Sequence, residues 1–395
     1  MTDVAVTASR IRIREKGETL LDLSLAQATE LQALGFCRVT PTSFEGRWRV
    51  TDVSKVGVAV VGGLAIHVVP KTPLQNIVYM ASLGGHDLQL DSEVSQSVDR
   101  ALPSAIAMAF LAEVQRATRR GLVKGYKSVE ESAAVVRGRW DIARQLAARP
   151  GIPLPLEIEF DDFTEDILVN QVLTSALSVV RNIALDAHGV ASLRRLQVVF
   201  ADVSPLPRGV PIVEQPLTRL TQHYAVALRL ARVILESVSW THREGAFTGG
   251  TFLVGMAAVF ESYVANRLHA ELAAGDFQMT TQDRRWWLDD DHFVALRPDL
   301  VVSQGAQILT VADTKYKVIA SDGGAAPNAD VYQAVAYALA LGVSDAHLIY
   351  VSGDVVARVI DVSSARVRVH LHAVSLDGSP QDIEGGVASL ARSII

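Results

Sequence analysis

The sequence predicts an α+β and α/β multidomain chain: a β-rich N-terminal domain, a helical connector and a C-terminal α/β domain. Three observations carry this. The chain has 395 residues, which suits two or three domains, and 49% of them are hydrophobic, enough for real cores. Residues 1 to about 90 hold short β-branched runs broken by glycine and proline, as in VGVAVVGGLAIHVVPKTPLQN. From residue 246 onward, helical periodicity alternates with short apolar strands. The boundaries predicted are 1–160, 161–245 and 246–395.

In chain order, SEVSQSVDRALPSAIAMAFLAEVQRATRR predicts a helix over 92–120, with apolar residues at helical spacing and a basic end that suits the macrodipole. RPGIPLPLEIEFDDF, residues 149–163, is punctuated by proline and then extended, and serves as a connector. TEDILVNQVLTSALSVVRNIALDA predicts a helix that opens on a Thr164 N-cap with acids in its first turn. LTRLTQHYAVALRLARVILESV repeats apolar residues every three or four positions. TFLVGMAAVFESYVANRLHAELAAG predicts a helix stopped by Gly275. Strands follow near 277–281, 293–302 and 307–318. NADVYQAVAYALALG predicts a helix capped by Asn328 and ended by Gly342, and AHLIYVSG and ARVRVHLHAV complete the sheet.

The single cysteine, Cys37, excludes a disulfide framework and a multi-cysteine zinc site, and suits a reducing cytoplasm. MTDVAVTASRIRIREKG has no apolar signal core, and no apolar run reaches a membrane span, so a cytoplasmic protein without membrane attachment is expected. Net charge is −6, and residues 251–395 carry 10 Lys+Arg against 17 Asp+Glu. Free-standing DNA binders are basic because phosphate neutralisation drives their affinity, so a chain like this one needs a partner to deliver DNA. Between Arg116 and Arg144 lie eight basic residues and three acids. A solvated face is the plain reading; a surface for nucleic acid or an acidic partner is the sharper one.

LRPDLVVSQGAQILTVADTKYK, residues 296–317, concentrates the chemistry. SQGAQ is a turn between two β-branched runs. A hairpin centred on Gly305–Ala306 sets Asp299 opposite Asp313, where two unpaired carboxylates repel unless a divalent cation joins them. The period of two puts Lys315 on the same face as Asp313. Two carboxylates and an ammonium at one point suit hydrolytic phosphodiester cleavage. The acids hold Mg²⁺, the cation lowers the pKa of a water it holds, and the lysine orients that water or stabilises developing charge. The Thr314 backbone carbonyl supplies a further oxygen, Glu261 in VFESYV completes the metal site from the preceding helix, and Gln333 positions a phosphate or the attacking water.

Each residue also has a plain reading: Asp299 as a turn residue, Lys315 as a snorkelling edge lysine, Glu261 as a solvated helix residue. The joint arrangement favours the nuclease. No GxxxxGK[ST], HExxH or GxSxG occurs, which excludes the P-loop, zincin and serine-elbow chemistries. His370-x-His372 reads as strand surface, Trp286 and Trp287 as an exposed hairpin, and Asp289, Asp290 and Asp291 as a solvated turn.

These residues resemble McrC, the nuclease subunit of McrBC-type modification-dependent restriction systems. The resemblance runs through IHVVPKTPLQNIVYMAS, VVRGRWDIARQL, FDDFTEDILVNQVL, RPDLVVS, VADTKYK and DVYQAVAYA in that order. It implies a restriction-endonuclease-like PD-(D/E)xK fold for 246–395, metal-binding roles for Asp299 and Asp313, and the catalytic lysine role for Lys315. Glu261 and Gln333 match looser positions. It also implies a partner of McrB type: a hexameric AAA+ GTPase ring that binds the GTP itself, reads methylcytosine in double-stranded DNA and receives the N-terminal domain, 1–160. Two other functions compete: a non-catalytic adaptor that keeps the fold to regulate an AAA+ partner, and a nuclease of a related defence system.

Overall fold

The computed structural model describes residues 10–82, 98–152, 154–207, 217–237, 251–273, 275–317, 326–351 and 358–395. It is mixed α/β with several sheets and ten helices among those residues. Two compact units emerge, Met1–Ala105 with Ser237–Ile395, and Ile106–Glu236, where the sequence suggested three consecutive segments. Among the described residues no helix is long and apolar enough to cross a membrane.

The first unit begins with β structure, as the glycine-punctuated runs predict. The strand Arg10–Arg14 pairs in parallel with Leu64–Val69, which pairs antiparallel with Lys55–Val61. The fourth strand of this sheet comes from far along the chain. Phe252–Gly255 pairs antiparallel with Lys55–Val58. This corrects the prediction of one helix over TFLVGMAAVFESYVANRLHAELAAG: the β-branched and aromatic start is a strand, and the helix runs Met256–Leu272. The approach is close enough to dictate sequence. Gly57 has φ 130°, and a Cβ placed there would lie 2.1 Å from the Phe252 carbonyl oxygen.

The same unit carries a six-stranded sheet in the spatial order Gln278–Thr281, Leu300–Gln304, Gln307–Lys315, Asp345–Val351, Val367–Val374, Arg358–Val362. The first three are antiparallel neighbours. Gln307–Lys315, Asp345–Val351 and Val367–Val374 are parallel, so a crossover is required, and the helix Asn328–Leu341 supplies it. Gly342 ends that helix as predicted, with φ 68°. Its start differs: Pro327 is the N-cap and Asn328 the first helical residue, because proline's fixed φ already sets the turn. Tyr337, Ala338 and Leu341 of this helix pack on Val311, Leu348, Val369 and Leu371 of the sheet. The C-terminal helix Pro380–Ile394 opens on a capping box between Ser379 and Asp382.

The predicted strand 293–302 resolves into two pieces. Ala295–Leu296 pairs with Trp286–Trp287, and Leu300–Gln304 joins the large sheet. Trp286 packs against the sheet core, Trp287 stacks on His292 at 5.0 Å, and Asp289 caps the turn by accepting from the Phe293 and Val294 amides.

In the second unit, the strand Leu156–Thr164 pairs with Gly125–Ala133 and Arg139–Trp140. The helix predicted from Thr164 instead starts at Leu168, and Thr164 ends the strand with its hydroxyl accepting from the Asp166 amide. Asp166 pairs with Lys127 at 2.6 Å and Glu165 with Lys124 at 3.5 Å, so the first-turn acids serve cross-strand partners rather than a helix dipole. The predicted 92–120 helix is described as Val98–Ala117; residues 92–97 lie outside the described residues, as does part of SDGGAAPNAD.

Candidate active site

The hairpin Leu300–Gln304/Gln307–Lys315 turns on Gly305, φ 60°, and Ala306. Near the turn Gln304 faces Gln307; a bulge between Val302 and Ser303 then shifts the register, so that Leu300 faces Ala312. One step further, that register sets Asp299 against Asp313. The turn register alone would set Asp299 against Ala312; the bulge, on the turn side of the acids, adds the one-residue shift that brings Asp313 opposite.

Asp299 lies just before its strand and is fixed by one residue of the other: the Thr314 amide and the Thr314 hydroxyl each donate to Asp299 Oδ2 at 2.8 Å. Asp313 is buried, 4% exposed. Lys315 Nζ forms an ion pair with Asp313 Oδ2 at 2.5 Å, yet that oxygen has no hydrogen bond of proper geometry. Burial, then the negative charge of Asp299, push the Asp313 carboxyl up to about 6. The same ammonium donates to Gln333 Oε1 at 2.7 Å. Gln333 Nε2 donates to the Tyr337 hydroxyl at 2.8 Å, which donates to the Arg297 carbonyl at 3.1 Å. A chain of side chains therefore runs from the acid pair through Lys315 to the helix behind it.

Glu261 sits on the helix Met256–Leu272 and accepts a hydrogen bond from Gln282 Nε2. Burial and then the Asp299 charge raise its pKa, so it shares the electrostatic neighbourhood of the pair. Gln282 also donates its amide to the Asp299 carbonyl at 2.9 Å, which ties the helix, the sheet edge and the acid loop together. The structure thus brings Asp299, Asp313, Thr314, Lys315 and Gln333 into one bonded group and leaves Glu261 joined through Gln282. Among the described residues, no group of three or more His, Cys, Asp or Glu side chains is already arranged to hold a metal. The donors that fit a divalent cation are the two hairpin carboxylates: a buried carboxylate met by one ammonium, beside a second, fixed carboxylate, is what a hard cation completes.

Sequence reasoning missed Gln282, Tyr337, Asp330 and Lys317. Lys317 donates to Asp330, and Asp330 accepts from the buried Tyr350 hydroxyl at 2.7 Å. The signal was available: Lys315 and Lys317 are two apart on an extended chain, and Asp330, Gln333 and Tyr337 are three and four apart on a helix. The basic stretch resolves the other way. Arg116, Lys124, Lys127, Arg137, Arg139 and Arg144 all pair with acids of the same unit, mostly on Leu156–Thr164 and the turn after it. These six fit the solvated-face reading; Arg119 and Arg120 are exposed and form no ion pair among the described residues.

Comparison with known proteins follows the same direction. A refined half-complex from a tetradecameric assembly of Thermococcus gammatolerans McrB AAA+ hexamers with bound McrC contains a chain that aligns over 98% of this one and 100% of itself, at 14% identity and a TM-score of 0.53. A chain of the cryo-EM structure of the Thermococcus gammatolerans McrBC complex aligns over 67% of this chain and 88% of itself, at 16% identity and a TM-score of 0.39. No curated protein sequence matches. The first likeness speaks to fold. A family model described as McrBC 5-methylcytosine restriction system component matches residues 50–351, well over half the chain. On that match, the chain belongs to the McrBC 5-methylcytosine restriction system component family.

Proposed function

We propose that this chain is the McrC-type, DNA-cleaving subunit of a modification-dependent restriction complex, a Mg²⁺-dependent endonuclease whose catalytic domain, 246–395, has a PD-(D/E)xK fold. One observation carries the reading: Asp313, buried with a single ammonium as its ion-pair partner, faces Asp299 across the hairpin. A scaffold role asks for no such group, and burying it without a full set of partners costs stability.

Asp299 and Asp313 would hold the cation, with the Thr314 carbonyl and Glu261 as further oxygens. When bound, the cation supplies Lewis acidity and an activated water nucleophile. The chain's own residues do the rest. Thr314 locks the Asp299 rotamer through two donors. Lys315, whose ammonium lies between Asp313 and Gln333, would stabilise the negative charge that the phosphate gains in the transition state. Gln333, anchored by Tyr337, keeps the ammonium aimed.

The partner is an AAA+ GTPase ring of McrB type, which binds GTP and reads methylcytosine in duplex DNA. The family and the McrB hexamers in the assembly of similar fold support this. The acidic C-terminal part of the chain gives the physical reason to need it. The docking region is the N-terminal 1–160 together with its edge, where Tyr126 (77% exposed) and Phe163 (58%) present paired rings.

The test is cleavage of methylated duplex DNA by the reconstituted complex with GTP and Mg²⁺. Asp313→Ala and Lys315→Ala should each lower the rate by about 10²–10³-fold or more. Equal cleavage by all three proteins sinks the reading. Intact GTPase stimulation with no cleavage by the wild type would identify an adaptor.

A further inference from the structure

A cavity of about 230 Å³ is lined by Lys16, Lys71, Thr72, Tyr316, Lys317 and Asp377 among its residues, and neither Asp299 nor Asp313 belongs to its lining. Asp377 lines it with three lysines, and two further carboxylates stand close: Glu15 beside Lys16, and Asp330 paired with Lys317. The fold brings them together. Arg10–Arg14 and Leu64–Val69 are parallel neighbours with Arg14 opposite Val69, so Lys16 and Lys71 leave the sheet at the same end. Lys317 arrives from the catalytic hairpin, two residues past Lys315.

The cavity is built. Lys16 takes a left-handed backbone, φ 55°, and its amide donates to the Val53 carbonyl at 3.0 Å. Its ammonium donates to the Tyr316 carbonyl and lies 5.0 Å from the Tyr316 ring centre. Tyr316 and Thr72 join hydroxyls at 3.1 Å. Glu15 is buried behind the wall and accepts from the Lys71 amide at 3.3 Å. Lys317 pairs with Asp330 at 2.7 Å. The Lys71 ammonium makes no ion pair among the described residues, and its side chain is exposed. Burial lowers the Lys16 pKa, the Glu15 charge opposes it, and the charges of Lys71 and Lys317 add less. With Lys16 offset by Glu15 and Lys317 by Asp330, the Lys71 ammonium is left to meet an incoming anion.

Size selects the anion. Pockets for whole organic ligands run to about 300–1,000 Å³, and this one is smaller, room for a phosphate group but not for a nucleotide. Position selects its source. Lys315 and Lys317 are held by Gln333 and Asp330, three residues apart on one helix, so the cavity borders the cleavage site.

We propose that this cavity is a phosphate subsite that takes a backbone phosphate of the DNA strand beside the one being cut, with Lys71 as its principal free cation. The proposal rests on the nuclease reading.

The probe is a fluorescent methylated duplex, bound to the reconstituted complex of this chain with its AAA+ partner in Ca²⁺ between about 50 and 200 mM salt. Lys71→Ala should weaken binding several-fold, Lys71→Glu more so, and Lys71→Arg should restore it. The slope of log affinity against log salt should become shallower by about 0.9 for the lost contact. Unchanged affinity and slope in both Lys71→Ala and Lys71→Glu overturn the subsite. If, with that result, inorganic phosphate raises the Tm of the wild type but not of Lys71→Glu, the cavity takes free phosphate and the DNA assignment is overturned. Asp313→Ala, carried through the Mg²⁺ cleavage assay of the same complex, separates the two ideas. Loss of cleavage with the Lys71 effect absent removes only the subsite; full cleavage by Asp313→Ala removes the nuclease reading while the salt slope still reports the phosphate contact.

Discussion

Asp313 concentrates the conflict between stability and function at the scale of one residue. A buried carboxyl whose folded pKa is raised to about 6, above its unfolded value of 3.8, binds protons more tightly folded than unfolded. Its contribution to stability is therefore full below about pH 3.8 and is lost as pH rises through 6. Asp313→Asn should raise the Tm of the metal-free chain at pH 8 and do so much less at pH 5. An equal gain at both pH values would contradict burial as the cause. Adding Mg²⁺ should raise the Tm of the wild type and leave Asp313→Asn unmoved, a readout independent of cleavage. Behind the acids, Tyr337→Phe cuts the link from Gln333 to the Arg297 carbonyl while leaving the ring in the core. It should lower kcat by about 10-fold or more, with little change in KM, because the support of a catalytic group is loosened. Steady-state kinetics of the reconstituted complex decide it.

At the scale of elements, the hairpin positions the chemistry and the sheet beside it supplies rigidity. Gln307–Lys315 is central, with Leu300–Gln304 on one side and Asp345–Val351 on the other, so its side chains cannot drift. The pairing of Phe252–Gly255 with Lys55–Val58 runs directly into the Glu261 helix. A disturbance of that strand pair is therefore felt at the base of a site helix. Gly57→Ala sets a side chain against the Phe252 carbonyl at a backbone angle that L residues avoid. It should cost about 1–3 kcal/mol or more by urea denaturation, with a drop in midpoint rather than in slope.

The whole molecule carries its own acid sensitivity. His347, His370 and His372 stack across neighbouring strands, with His347 Nδ1 and His372 Nε2 sharing a hydrogen bond of 2.8 Å. Burial, and then the neighbouring histidine charges, hold His347 down to about 3 and His372 down to about 4. Both folded values lie below the unfolded value of 6.5, so the unfolded chain takes up protons first and stability falls as pH drops from 6.5 toward 4. Urea midpoints at pH 7, 6 and 5 should decline in that order, and His347→Gln should flatten the decline. In the second unit, opposite charges on Gly125–Ala133, Leu156–Thr164 and their flanks neutralise the basic stretch. At the Lys16–Lys71–Lys317 cavity the Lys71 ammonium makes no ion pair among the described residues, which is why the phosphate contact is proposed there.

From the sequence alone came the acid–acid–lysine pattern, its hairpin, the helix that follows and the family it resembles. Those rest on local rules: a turn signal, a period of two along a strand, a glycine stop. Local rules also misplaced what distant partners decide. TFLVG is a strand because Val56–Val58 lies waiting for it nearly two hundred residues upstream. Thr164 ends a strand because Lys124 and Lys127 claim the acids after it. Tyr337, Gln282 and the three-lysine cavity have no motif, since each depends on residues that only folding brings within hydrogen-bond reach. The chain's local order wrote the candidate site's two acids and its lysine; long-range packing alone settled what holds them in place and which charges they meet.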